Sequence, residues 1–319
     1  MTDHGNKEEV ELMKMTRNSI VALMLGLLVI SSASGAELKV HSYFSDNMVL
    51  QRDKPAVVTG SATAGANVTV SFAGQSKVAA AANNGQWSVT LDPMPANSKP
   101  QTLTVKSTRD SKAATRSNVL VGDVWLFGRQ TYVDISLGRT DEGRAAAAKA
   151  TGNFRAIAIK TVAAKQPQND LSKDATAGWM QVDGKSALTM SGAAFYLGRD
   201  LVAEQAVPIG IVDVNMSHYF SIGWLSSQAL ADTATRHPEH AKELAWLLPS
   251  MKERAEARDS GKAQADLDAY YEGRGGKGVK PSLGLHPLRN PMYPSAGYNA
   301  VIHPLRHVAL KGILLQLGN

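Results

Sequence analysis

The first residues placed to do chemistry stand at the end of an apolar run. Val119 to Phe127, punctuated by Gly122, reads as a buried strand and ends in the polar turn Gly128-Arg129-Gln130-Thr131-Tyr132-Val133-Asp134. In an α/β protein, the carboxyl end of a first parallel strand is where reactive groups are placed, because side chains there open onto the crevice above the sheet. Cysteine is absent from the chain, which excludes disulfides, a thiolate metal site and a cysteine nucleophile. His237-Pro238-Glu239-His240 could be imagined as a metal pair, but its proline and polar surroundings fit a solvated helix start better. His286, His303 and His307 lie among prolines and leucines and read as packed loop residues. The glycine-rich stretch Glu272 to Gly278 lacks both P-loop spacing and a preceding strand, and reads as a flexible loop.

Two kinds of element surround that turn. From about Leu38 to Ser117 the chain reads as all-β, with short segments rich in β-branched residues at Val57–Ala62, Asn67–Phe72, Gln86–Leu91 and Gln101–Lys106. Turn signals separate them: Ala64-Gly65-Ala66, Ala73-Gly74, Asn83-Asn84-Gly85 and Asp92-Pro93. Even spacing of short strands predicts a small β-sandwich over 37–117. From Asn118 onward, strands alternate with helical or irregular segments. Strands are expected at Asn153–Lys160, Ile209–Val214 and Lys311–Leu317. A helix is expected over Ala187–Gln205, with Ala194, Leu197, Leu201 and Val202 at helical spacing, and a polar, mostly helical stretch over Ala229–Tyr271. That alternation predicts a parallel sheet with helices on both faces over 118–319.

The N-terminus speaks for the compartment. Ile20 to Ile30 is an apolar core preceded by Lys14 and Arg17 and followed by Ser34-Gly35-Ala36, the layout of a secretory signal peptide. It is shorter than the ~20 residues a spanning helix needs. The acidic leader before it makes Met13 or Met15 a better start than Met1. A mature chain beginning near Glu37, periplasmic or secreted and without stable membrane insertion, is therefore expected. The formal charge of +6 is spread along the chain rather than clustered, so it reads as solubility and excludes a nucleic-acid footprint.

Several segments carry a family resemblance. Phe44-Ser45-Asp46-Asn47-Met48-Val49-Leu50-Gln51-Arg52, Gly85-Gln86-Trp87, Asn118–Leu126, Gly210-Ile211-Val212-Asp213 through Trp224, and Tyr298–Leu305 resemble the corresponding blocks of the sialate O-acetylesterase family. The resemblance implies an N-terminal β-sandwich followed by a flavodoxin-like α/β domain of the SGNH hydrolase kind. It also implies removal of O-acetyl esters from sialic acid or related carbohydrates, with neither cofactor nor metal. Such an esterase needs a hydroxyl nucleophile, a histidine base, an aspartate to orient the base, and oxyanion donors.

Position by position, the match is incomplete. After the shared Gly-Asp-Val-Trp-Leu, family members usually continue Cys-Ser-Gly-Gln-Ser-Asn-Met. Here the nucleophile's place falls on Thr131, the glycine is Arg129, the asparagine is Tyr132, and Gln130 alone is kept. Threonine's extra methyl stiffens the side chain and crowds the approach to a carbonyl. Where members carry Gly-Gly-Thr after the Gly210–Asp213 strand, this chain has Ser217-His218-Tyr219, with His218 either a replacement base or a loop histidine. The resemblance places Asn319 at or near the family's glutamate. The family's Asp-x-x-His, which supplies base and orienting acid, occurs nowhere in these residues. The expectation is an α/β domain ended early at its C-terminus. Its pocket would be drawn from Gln130, Thr131, Ser217, His218 and Asn319, with hydrolysis weak or lost. A non-catalytic carbohydrate-binding or scaffold remnant is the alternative, and a truncated product without stable function a third.

Overall fold

The computed structural model describes residues 37–130, 135–150, 153–215, 221–239 and 294–316, together with a few single positions between 242 and 265. The expected signal segment lies outside them. Residues 37–319 cluster as one compact unit. Strands, numbered in chain order, are β1 (Lys39–Val40), β2 (Val49–Gln51), β3 (Ala56–Ser61), β4 (Asn67–Phe72), β5 (Gln75–Ala80), β6 (Gln86–Leu91), β7 (Asn97–Ser107), β8 (Ala114–Arg129), β9 (Phe154–Ile159), β10 (Trp179–Gln181), β11 (Ile209–Asn215) and β12 (Gly312–Gln316). Helices are α1 (Asp141–Ala147), α2 (Gly192–Gln205) and α3 (Ser227–Arg236).

The N-terminal strands follow from alternation. In β4, Val68, Val70 and Phe72 are buried while Asn67, Thr69 and Ser71 face outward; in β6, Trp87, Val89 and Leu91 turn inward. A period of two puts one face of each strand into the core. β1, β3 and β6 form a three-stranded antiparallel sheet, and its Val58, Trp87 and Val89 share a core with Val68, Val70 and Val105 of the larger sheet. β4 and β5 are joined by Ala73-Gly74, both at positive φ (50° and 77°), the two-residue hairpin geometry matched to strand twist.

The larger sheet runs β10-β9-β11-β8-β7-β4-β5, with β2 and β12 also paired to β8. β8 is its axis. Its first half pairs antiparallel with β7, and its second half pairs parallel with β11 on one side and β12 on the other. The expected boundary at 117/118 falls inside this strand, with no linker. Asn118 sits there at φ 56°, where the β7 register shifts as at a β-bulge, and its amide donates to Asn47 Oδ1 at 2.7 Å. The composition change read in the sequence is therefore a change of pairing mode along one strand.

The parallel part is buried as such sheets require: every residue of β11 except Asn215 is buried. Gly122 marks a close approach, since a Cβ there would stand 1.9 Å from the Pro208 carbonyl oxygen. Gly122→Ala is expected to lower stability by about 1–3 kcal/mol or more, because backbone rather than a flexible side chain must yield. Urea unfolding would measure this beside Gly184→Ala, where the nearest atom is 3.7 Å away and little change is expected.

The helix expected from Ala187 begins instead at Gly192. Ser186–Thr189 is a separate 3₁₀ turn, and Met190 is extended. The helix buries Ala194, Phe195 and Gly198, whereas Leu197, Leu201 and Val202 are only half-buried. Gly198 decides that face, because Phe154 of β9 occupies the space a side chain would need. The strand expected at Lys311–Leu317 forms as β12 and pairs with β8, yet Ile313 and Leu315 are 60% and 56% exposed.

Candidate active site at the strand ends

The carboxyl ends of β8, β11 and β12 finish in one row. Register places Asn215 and Gln316 on either side of Arg129. Gln130, the next residue, is half-buried and donates its backbone N–H to the Gln316 carbonyl at 3.2 Å. β8 thus stays extended and paired on both edges through Arg129, with no tight bend there.

Arg129 itself is turned into the protein. Its Nε donates to Asp213 Oδ1 at 2.7 Å and its Nη2 to Oδ2 at 3.1 Å, with the side chains 6% and 3% exposed. Both side chains alternate onto the face that also carries Phe127, Ile209 and Ile211, packed with Phe195 of α2. A fork of two parallel hydrogen bonds is the strongest form of this pairing, and burial makes it costly to break. On the other face, Gly128 leaves room for Trp224 and Leu315, whose atoms would lie 2.8–3.0 Å from a Cβ. The end of β8 is therefore flanked by a guanidinium–carboxylate pair on one face of the sheet and an indole on the other.

Two of the family-like sequence blocks touch. β2 pairs with Leu120–Gly122 of β8. Arg52 clasps the buried Asp123 through Nε (2.8 Å) and Nη2 (3.0 Å), while Gln51 donates to the same carboxylate at 3.1 Å and accepts from the Val124 N–H at 2.8 Å. Desolvation pushes the Asp123 carboxyl up, but the hydrogen bonds from Arg52 and Gln51 outweigh it and leave the group below its usual range. This clasp fixes the base of β8; no reacting group lies in it.

No family model matches the chain. The sialate O-acetylesterase of Rattus norvegicus is 25% identical over 93% of this chain and 55% of its own length, and that of Homo sapiens is 25% identical over 94% and 52%. A solved carbohydrate acetylesterase from Xanthomonas citri shares the fold, with a TM-score of 0.63 and 24% identity over 87% of this chain and 51% of that one. The chain is thus similar to sialate O-acetylesterases over nearly all of its length. It spans about half the length of the curated relatives it matches.

Of the pocket residues expected from that family, Gln130 lies at the strand-end row. Thr131, Ser217, His218 and Asn319 lie outside the described residues. Arg129, expected from the sequence to stand where the family has a glycine, ends a regular strand that needs none, and Asp213 on the neighbouring strand supplies its counter-charge. The Tyr298–Leu305 block forms a π-helical turn, Tyr298–Ile302, continued by His303–Leu305. Asn299 is buried there and donates to the carbonyls of Ala164 (3.1 Å) and Lys165 (3.1 Å), holding the loop that follows β9. Nothing in the sequence around Asn299 signalled that bracing role, because its partners stand more than a hundred residues away. His303, expected as a packed loop residue, instead opens the short helix His303–Leu305 and is half-buried, its ring meeting the Gln168 carbonyl at 2.8 Å. Among the described residues there is no cluster of three or more metal-binding side chains, and no helix long and apolar enough to cross a membrane.

Proposed function

We propose that this chain is a carbohydrate-esterase homologue that recognises O-acetylated sialic acid or a related sugar, with ester hydrolysis weak or lost. The observation that carries the reading is the strand end itself. The family's nucleophile block begins at the end of β8, where this chain has a straight, doubly paired strand and a buried Arg129–Asp213 pair. A nucleophile needs a turn that lifts its hydroxyl into the crevice and donors aimed at the oxyanion, and Arg129 and Thr131 replace the small and serine residues suited to that. The domain organisation we propose is a β-sandwich leading into an α/β hydrolase domain, exported by the N-terminal signal segment to the periplasm or beyond the cell.

Acetate release from an O-acetylated sialic acid, with Thr131→Ala alongside, tests this. Turnover is expected to stay within about 10³–10⁴-fold of the uncatalysed rate, the level left by binding and oxyanion contacts alone. It should be indifferent to Thr131→Ala. Fast turnover abolished by that substitution would instead establish a working hydrolase with Thr131 as nucleophile. Sugar binding without turnover is the second reading, and the cleft described next favours it.

A further inference from the structure

A second recess lies away from the strand ends and shares no residue with them. It is a cleft of about 250 Å³ between the three-stranded sheet and the segment after the π-helical turn. Thr59, Gln86, Trp87 and Ser88 line it from β3 and β6, His41 from the end of β1, and Asn169, Arg306 and His307 from the far side. These segments are brought together from more than two hundred residues apart, which a surface dimple between neighbouring side chains would not require.

The chemistry of the lining is selective. Amides and hydroxyls predominate, Trp87 and Pro304 are the apolar walls, and the volume is slightly below the 300–1,000 Å³ of sites for larger ligands, enough for one small ring. Arg306 is fixed in place by Nη1 donating to the His303 carbonyl at 2.7 Å and Nη2 to Asn169 Oδ1 at 3.3 Å. Neither partner is a carboxylate. The acid nearest His41, Asp170, is engaged by the Ser42 N–H at 2.7 Å and the Ser42 hydroxyl at 3.1 Å. Burial, and then the charges of Arg306 and His307, hold the His41 imidazole below its ordinary value, with Asp170 and Gln86 opposing; burial, Arg306 and His303 do the same to His307. Arg306 thus brings a positive charge to the recess, beside two imidazoles held toward their neutral form.

We propose that this cleft binds a single carboxylate-bearing sugar unit, with Arg306 facing the carboxylate and Gln86 and Asn169 the ring hydroxyls. The identity of the sugar rests on the carbohydrate reading above; hydrolysis plays no part in it.

Calorimetric titration of the full chain with N-acetylneuraminic acid, and with the uncharged N-acetylmannosamine as control, tests the proposal. The acid is expected to bind in the millimolar range. Affinity should fall about tenfold or more with Arg306→Gln, which removes a charge-assisted contact. Ser88→Trp, a filling substitution at an exposed strand position, should abolish binding with the thermal midpoint of the protein unchanged. No binding of the acid, or equal binding of the uncharged sugar, would overturn the site. So would binding that survives Ser88→Trp but is lost in Thr131→Ala, which would move the sugar to the strand ends. A failed acetate assay, by contrast, leaves these titrations unaffected and bears on the esterase reading alone.

Discussion

Asp213→Ala is expected to lower stability by about 3–5 kcal/mol, the range for removing one partner of a buried ion pair. The loss comes from leaving the Arg129 guanidinium without its carboxylate in a place where its side chain is 6% exposed. For a chain of this size that amounts to a fall in Tm of roughly 10 °C. The double variant Arg129→Met with Asp213→Leu should lose less than Asp213→Ala alone, because it removes both charges together and fills the volume. Thermal and urea unfolding of the single and double variants would measure the coupling. A cost below about 1 kcal/mol for Asp213→Ala would mean that the pair behaves as a solvated surface bridge rather than a buried one. If instead the pair holds the crevice shut, the double variant is the one in which to look for altered acetate release.

The second large effect is acid lability centred on Asp123. Its carboxyl is held below the ordinary value in the folded protein, although burial opposes this, by hydrogen bonds from Arg52 and Gln51 and the charges of Arg52 and Lys311. A depressed folded pKa contributes stability that is fully present above the unfolded value of about 3.9, and that is lost as pH falls through the folded one. Asp123→Asn is therefore expected to be less stable than the natural chain at neutral pH by about 1.5–3 kcal/mol, the scale of a hydrogen bond to a charged group. The difference should shrink below about pH 4 as the natural carboxyl takes up its proton. Chemical denaturation at several pH values would follow it. A difference that stays constant down to about pH 2 would mean that the Arg52 clasp is not what depresses this group. The clasp joins β2 to β8, so its loss is also expected to loosen the one from the other while leaving α2 on its own face of the sheet.

Much of the scaffold was legible because it rests on local rules. β4, β6, β9 and β11 declare themselves through alternation or unbroken β-branched runs, and Ala73-Gly74 and Asn83-Asn84-Gly85 through turn chemistry. Each of those signals lies within a few residues. α2 was misjudged at its start because the Ser186–Thr189 turn shares its composition. Its buried face was misjudged because that face depends on Phe154, more than forty residues away. The change at Asn118 was visible as a shift in pattern, but whether it was a linker or a bulge depended on β7 and Asn47, which are distant in sequence.

At the candidate site, the sequence by itself determined the address: the apolar run to Phe127, the polar residues Arg129, Gln130 and Thr131 that follow it, and the absence of cysteine. Those are properties of residue identity and order. Only the tertiary structure decided that Arg129 is neutralised by Asp213, that Asp123 is clasped by Gln51 and Arg52, and that His41, Gln86, Asn169 and Arg306 face one recess. Each of these depends on strand register or on the return of a distant segment. Hydrogen bonds and charge pairs act over a few ångströms in space, and sequence separation carries no trace of that distance until the sheet is assembled.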